Sequence, residues 1–273
     1  MNTTRYETSR ARLAVGAFMA TLHRDLVVTG REFIQFLVTA LMQPIFFLFV
    51  FGKVLPGIGL AAPGFTALLL PGIVALSSML ASLQGVTLPL VLDLGYAREI
   101  DDRLLAPLPA WMVAVEKLLV ASVRGTIAGL TIFPVGFLIL GHSFAVRSDR
   151  MGTLAVMILL TAATGAVIGL LMGTVIKPEQ ISLMFTLVFT PLIFTGCTYY
   201  PWAALNHIRW FQAITLVNPL TYCSEGLRYA MVPPVGGHEM PTLGIGWVLI
   251  ALVVGLGLCG FAGTRTFLKR VVS

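Results

Sequence analysis

Five of the six residues from Arg98 to Arg103 are charged, in a stretch that reads REIDDRLLAPLP and closes on Pro107 and Pro109. Drawn as a short helix over 98–105, it pairs Arg98 with Asp102 and Glu99 with Arg103 at i, i+4. The same helix sets Ile100 and Leu104 on one side, with Asp101 and Leu105 beside them. The prolines then stop the helix before the chain turns. A segment of this kind holds a firm shape and is suited to dock in a complementary groove. A charged loop that only sets membrane topology is the plainer reading, and the charge pattern alone leaves both open.

The rest of the chain is poor in chemistry. It has no GxxxxGK[ST] loop to cradle nucleotide phosphates, no HExxH zinc pair and no GxSxG elbow. His23, His142, His207 and His238 stand apart, so no metal site and no catalytic residues are expected. Cys197, Cys223 and Cys259 lack CxxC spacing. Cys197 and Cys223 fall on the same expected side, where separate buried thiols are a better reading than a disulfide. Ionisable residues are nearly absent from the apolar stretches, Arg124 behind Glu116 and Lys117 being the exception. Less than two turns inside its span, Arg124 would run its side chain out to the interface. A polar contact with a substrate path or with the amino-terminal helix is the other reading. With no carboxylate at mid-membrane, proton or sodium coupling lacks a carrier, and energy for transport is expected to come from a partner chain.

The elements that must position these residues follow from composition. Of 273 residues 57% are hydrophobic and only 11% charged, against about a quarter charged in soluble domains. This is a polytopic membrane protein, and its continuous apolar runs are helices, each span needing about 20 residues. Six are expected, at 33–55 (with Pro44), 65–92 (with Pro71 and Pro89), 118–140, 152–176, 181–200 and 243–267. Ahead of them, over 13–29, Val15, Phe18, Met19, Leu22 and Leu26 share one helical face, with Arg24 elsewhere. That pattern reads as an amphipathic helix lying in the membrane interface, because the apolar patch is too short and too soon broken for a signal peptide.

With both termini inside, the cytoplasmic side collects twelve Lys and Arg and the outer side five, the bias expected of cytoplasmic loops. The net charge of +6 then serves anionic lipid and not nucleic acid. The stretch 201–241, on the outer side, carries Trp202, Trp210, Phe211, Tyr222 and Tyr229, and reads as a pair of short re-entrant helices. The fold class is thus an all-α membrane protein forming one transmembrane domain over 1–273.

Two motifs on these elements resemble those of ABC-2 type permeases, the membrane halves of ATP-driven exporters of daunorubicin-type drugs, polysaccharides and nodulation factors. The family's E-R-E-x-G-T-L-E-R-L-L-x-x-P-L segment is met by Arg98-Glu99, Asp102-Arg103-Leu104-Leu105 and Pro107-Leu108, with Ile100 and Asp101 where glycine and threonine usually stand. Its outer N-P-x-x-Y-x-x-E-x-x-R motif is met by Asn218, Pro219, Tyr222, Glu225 and Arg228. The resemblance implies a permease dimer, of two copies or of paralogues, bound to two separate ATPase subunits that hold ATP and Mg. It makes 98–105 the ATPase-coupling helix and the amino-terminal helix a second docking element. In the outer motif Asn218 and Pro219 would cap and start a helix. Glu225 and Arg228, three apart, would pair on one of its turns, shaping an outer gate without chemistry.

The expected function is export across the cell membrane, with no enzymatic activity on this chain. Phenylalanine at the density found in the spans (Phe33, Phe36, Phe46, Phe47, Phe49, Phe51, Phe185, Phe189 and Phe194) ordinarily packs or faces lipid, and it also suits a path for a drug or lipid. Because Tyr and Trp gather at the outer end and form no ladder along a bore, the expected cargo is hydrophobic or amphiphilic. A polysaccharide or glycolipid exporter of the same family is the alternative, and a secondary transporter the more distant one.

Overall fold

The computed structural model describes residues 3–61, 64–97, 109–141, 146–234 and 239–272. Among these residues every regular element is helical. The first, α1 (Thr3–Arg31), is one unbroken helix of 29 residues, longer at both ends than its apolar face. Only Glu32, with φ −96° and ψ 15°, separates it from α2 (Phe33–Gly57), which carries Pro44 and a π-helical turn at Val50–Val54. Then come α3 (Phe65–Leu92), α4 (Ala110–Leu140), α5 (Met151–Val175), α6 (Pro178–Thr195) and, after two short helices, α9 (Ile245–Val272). Among the described residues these six, α2 to α6 and α9, are long and apolar enough to cross a membrane.

Two helices differ from their hydropathy. The third span, expected from Leu118, belongs to a helix that starts at Ala110, with Pro109 as its extended N-cap. Hydropathy marks where lipid begins, whereas the helix begins where the last proline releases the chain, and AWMVAVEK contains no breaker. The fifth span, expected to reach Tyr200, ends as helix α6 at Thr195, with a π-helical turn at Phe185–Phe189. Cys197, at φ 50°, takes the chain out of the helix.

The core is built around α3. Nearly nine-tenths of its apolar window is buried, 89% against 17% for α2 and 11% for α9. Lipid removes the hydrophobic drive between spans, so close backbone approach must hold them together. Three glycines of α5, Gly165, Gly169 and Gly173, repeat every four residues along the face that meets α3. A Cβ on Gly165 would lie 2.3 Å from the Met79 carbonyl oxygen, and one on Gly169 2.5 Å from that of Leu83. On the other flank Gly125 of α4 faces the Ser78 carbonyl oxygen, which a Cβ would meet at 2.6 Å. Where the backbones touch, the Thr87 hydroxyl bonds its own helix at Leu83 (2.8 Å) and the Gly169 carbonyl of α5 (3.1 Å). The rising pairs 165 with 79, 169 with 83 and 173 with 90 run α3 and α5 parallel. The bundle therefore has two distinct ends.

One end holds α1, the close of α3 and the start of α4. The other holds a 3-10 turn at Trp202–His207, α7 (Arg209–Thr215) and α8 (Pro219–Met231). Helix α8 is buried along most of its length against α3, α5 and α9.

Candidate functional site

At the first end, α1 leans on α4. Of its apolar face, Phe18 and Leu22 are half-buried, while Val15, Met19 and Leu26 stay exposed at 52%, 57% and 38%. The exposed Arg24 pairs with Asp25 at 3.2 Å. The inward edge of α1 also carries the half-buried Thr21 and Asp25 and ends at the buried Thr29. Arg124 crosses to it, donating from Nε and Nη2 to the Thr29 hydroxyl at 3.0 and 2.8 Å. The expected run outward to the interface is thus replaced by a contact with the amino-terminal helix. Arg124 stands fourteen residues along α4, within reach of the end of α1.

A cleft of about 490 Å³ opens beside Arg124, lined by Arg24, Asp25, Gly85, Asp93 and Lys117. Lys117 binds Asp93 at 3.1 Å, and both side chains are largely out of solvent, at 10% and 15% exposure. This pair joins the π-helical turn that follows α3 (Asp93–Ala97) to the first turns of α4. It therefore clasps the two stems of the charged segment. That segment's own residues, Arg98, Glu99, Asp101, Asp102, Arg103, Leu104 and Leu105, lie outside the described residues.

At the far end the residues of the second motif converge. The Asn218 carboxamide oxygen accepts from the Leu220 amide at 2.9 Å, capping α8, and Pro219 takes its first position. The Asn218 amide also donates to the Leu192 carbonyl (2.8 Å) and the Thr195 hydroxyl (2.9 Å), tying the cap to α6. Tyr222 donates to the Leu216 carbonyl at 2.8 Å. Glu225 and Arg228 are completely buried and paired. Glu225 accepts from the backbone amides of Trp202 (3.0 Å) and Leu243 (3.1 Å). Arg228 donates to the carbonyls of Cys197 (2.9 Å) and Leu68 (3.3 Å). The pair joins the chain after α6, the turn at Trp202, the start of α3 and the approach to α9. Apart from the pairing itself, the hydrogen bonds of both side chains go to backbone, so this is a structural rivet and not a site with groups left over for a reaction.

Beside it a cluster closes the loops. Arg147 binds Asp149 (2.8 Å) and Glu239 (3.3 Å), and Arg150 also binds Glu239. The Arg150 guanidinium lies 4.0 Å over the Tyr229 ring. The hydrogen bond from Arg147 holds the Asp149 carboxyl below the usual carboxylate range. Cys197 and Cys223 are buried free thiols.

Three features escaped the sequence reading. The Asp93–Lys117 clasp joins residues that had been noted separately. The Gly165, Gly169, Gly173 repeat was visible as a small-xxx-small pattern. Gln35 and Gln84, with Thr39, line a second cleft of about 250 Å³ next to Arg124. A search for ionisable residues alone passes over amides.

No curated protein matches the chain. A family model described as ABC-2 type transporter matches residues 16–232. The match runs from within α1 through α8, and so takes in the clasp, both clefts and the buried Glu225–Arg228 pair. A helical bundle with six candidate spans, carrying both motifs inside that match, is the membrane component of a transporter: the chain belongs to the ABC-2 type transporter family.

Proposed function

We propose that the chain is the permease subunit of an ATP-driven exporter, working as a dimer with two separate ATPase subunits that bind ATP and Mg. In this reading both termini and residues 98–108 are cytoplasmic, and the protein sits in the cell membrane. The α1 helix lies in the interface, with its exposed Val15, Met19 and Leu26 in lipid, and α7 and α8 re-enter the membrane from outside. The cargo is hydrophobic or amphiphilic and leaves the cytoplasm.

The observation that carries the proposal is the Asp93–Lys117 clasp. A docking segment transmits force only if its stems are held, and here a partly buried ion pair holds them where the segment leaves the core helix α3. Movement of 98–108 would reach α3 directly, and through α4 and Arg124 it would reach α1. The test is the pair Asp102→Arg with Arg103→Glu. It is expected to insert normally and to lose most of the stimulation that the permease gives its ATPase, measured in nanodiscs. Unchanged stimulation would remove 98–105 from the interface.

A further inference from the structure

The two clefts beside Arg124 share Gly85, Pro89 and Arg124 and so form one groove. It follows α3 from Asp93 to Ala81, twelve residues or about 18 Å at 1.5 Å per residue. At the mouth the charges are matched, Asp93 with Lys117 and Asp25 with Arg24. Arg124, in the middle, is different. Its guanidinium donates to one neutral hydroxyl, that of Thr29, and among the described residues no carboxylate pairs with it. A guanidinium offers five donors in a planar fork suited to a phosphate or carboxylate. A charge held without a counter-ion inside a membrane bundle is costly, and its default meaning is a site.

The surroundings say what the site takes. Gly85 lies across from the Arg124 stem, its position such that a Cβ would stand in ordinary contact, 3.6 Å from Arg124 Cδ. Gln35, Thr39 and Gln84 supply neutral hydrogen-bonding groups in the deeper part, alongside the apolar Phe36 and Leu88; Glu32 also lines it, but is exposed and makes no ion pair with Arg124 among the described residues. Neutral amides and hydroxyls suit the polar part of a headgroup, and the apolar neighbours suit the start of a chain.

We propose that Arg124 binds the phosphate of a phosphate-headed amphiphile, which enters the groove past the Asp93–Lys117 clasp and rests its first carbons on Phe36 and Leu88. The site rests on the export reading only for its purpose, loading cargo or sensing lipid, because binding is a property of this chain alone. The experiment therefore uses the full chain purified in detergent, without ATPase. Calorimetric titrations use dioctanoyl phosphatidic acid, neutral dioctanoylglycerol and inorganic phosphate.

Saturable binding is expected for phosphatidic acid, at least tenfold weaker for inorganic phosphate and for dioctanoylglycerol. Arg124→Gln should weaken phosphatidic acid binding at least tenfold, and Arg124→Lys less than threefold. Where Arg124→Gln does not elute as the native protein does, Gln84→Leu is expected to weaken binding several-fold with Arg124 intact. Equal binding of the neutral lipid would overturn the role of Arg124, as would wild-type affinity in Arg124→Gln, and wild-type affinity in Gln84→Leu would overturn the groove as the site. Inorganic phosphate binding as tightly as phosphatidic acid would overturn the amphiphile. Failure here leaves the Asp102/Arg103 result standing, and failure of that reversal leaves this binding standing.

Discussion

At Glu225 and Arg228 a full positive and a full negative charge lie out of reach of solvent, each satisfied mainly by backbone. Removing one partner strands the other, which in soluble proteins costs about 3–5 kcal/mol. Glu225→Ala is therefore expected to lower the melting temperature of the purified protein sharply or to abolish its accumulation. Because the two residues act as one unit, Arg228→Met added to Glu225→Gln should cost less than the sum of the single changes. A loss in the double variant equal to or greater than the sum of the two single losses would contradict the rivet. Asn218 illustrates how far such detail was legible. Its cap on α8 is a contact two residues away and follows from Asn before Pro. Its bonds to Leu192 and Thr195, 26 and 23 residues distant, do not.

Among the elements, contacts of backbone on backbone set the arrangement. Gly165→Leu or Gly169→Leu in α5 would drive a side chain into the carbonyls of α3. Both are expected to abolish stable protein, as judged by size exclusion in detergent. Gly152→Ala and Gly246→Ala, with open space around them, should elute as wild type. The Asp93–Lys117 clasp offers a second test at this scale. Asp93→Asn should uncouple ATPase stimulation from the permease at least several-fold. The exchange Asp93→Lys with Lys117→Asp should recover part of it, since the pair is restored in reverse. The helical nature of every span was readable from the apolar runs. The early start of α4 at Ala110 was not, because lipid contact ends before the helix does.

For the whole molecule, the uneven burial of the spans is the main consequence of the fold. Helix α3 is enclosed, whereas α2, α6 and α9 keep outward apolar faces, among them Ile34, Val38, Met42 and Phe46 along α2. Light scattering of the solubilised complex is expected to give two permeases and two ATPases, and a one-to-one particle would remove the dimer. Composition was enough for the class, since 57% hydrophobic residues with 11% charged leave no soluble fold in which to bury them. Motif spacing was enough to name the family, because both motifs are short and local. Neither could say that Arg124 meets Thr29, 95 residues away, or that α3 is the helix at the centre. Hydropathy is averaged over a window and is nearly the same for a span in lipid and a span in protein. The difference between them lies in which small residues face which backbone, and only the packed bundle decides that.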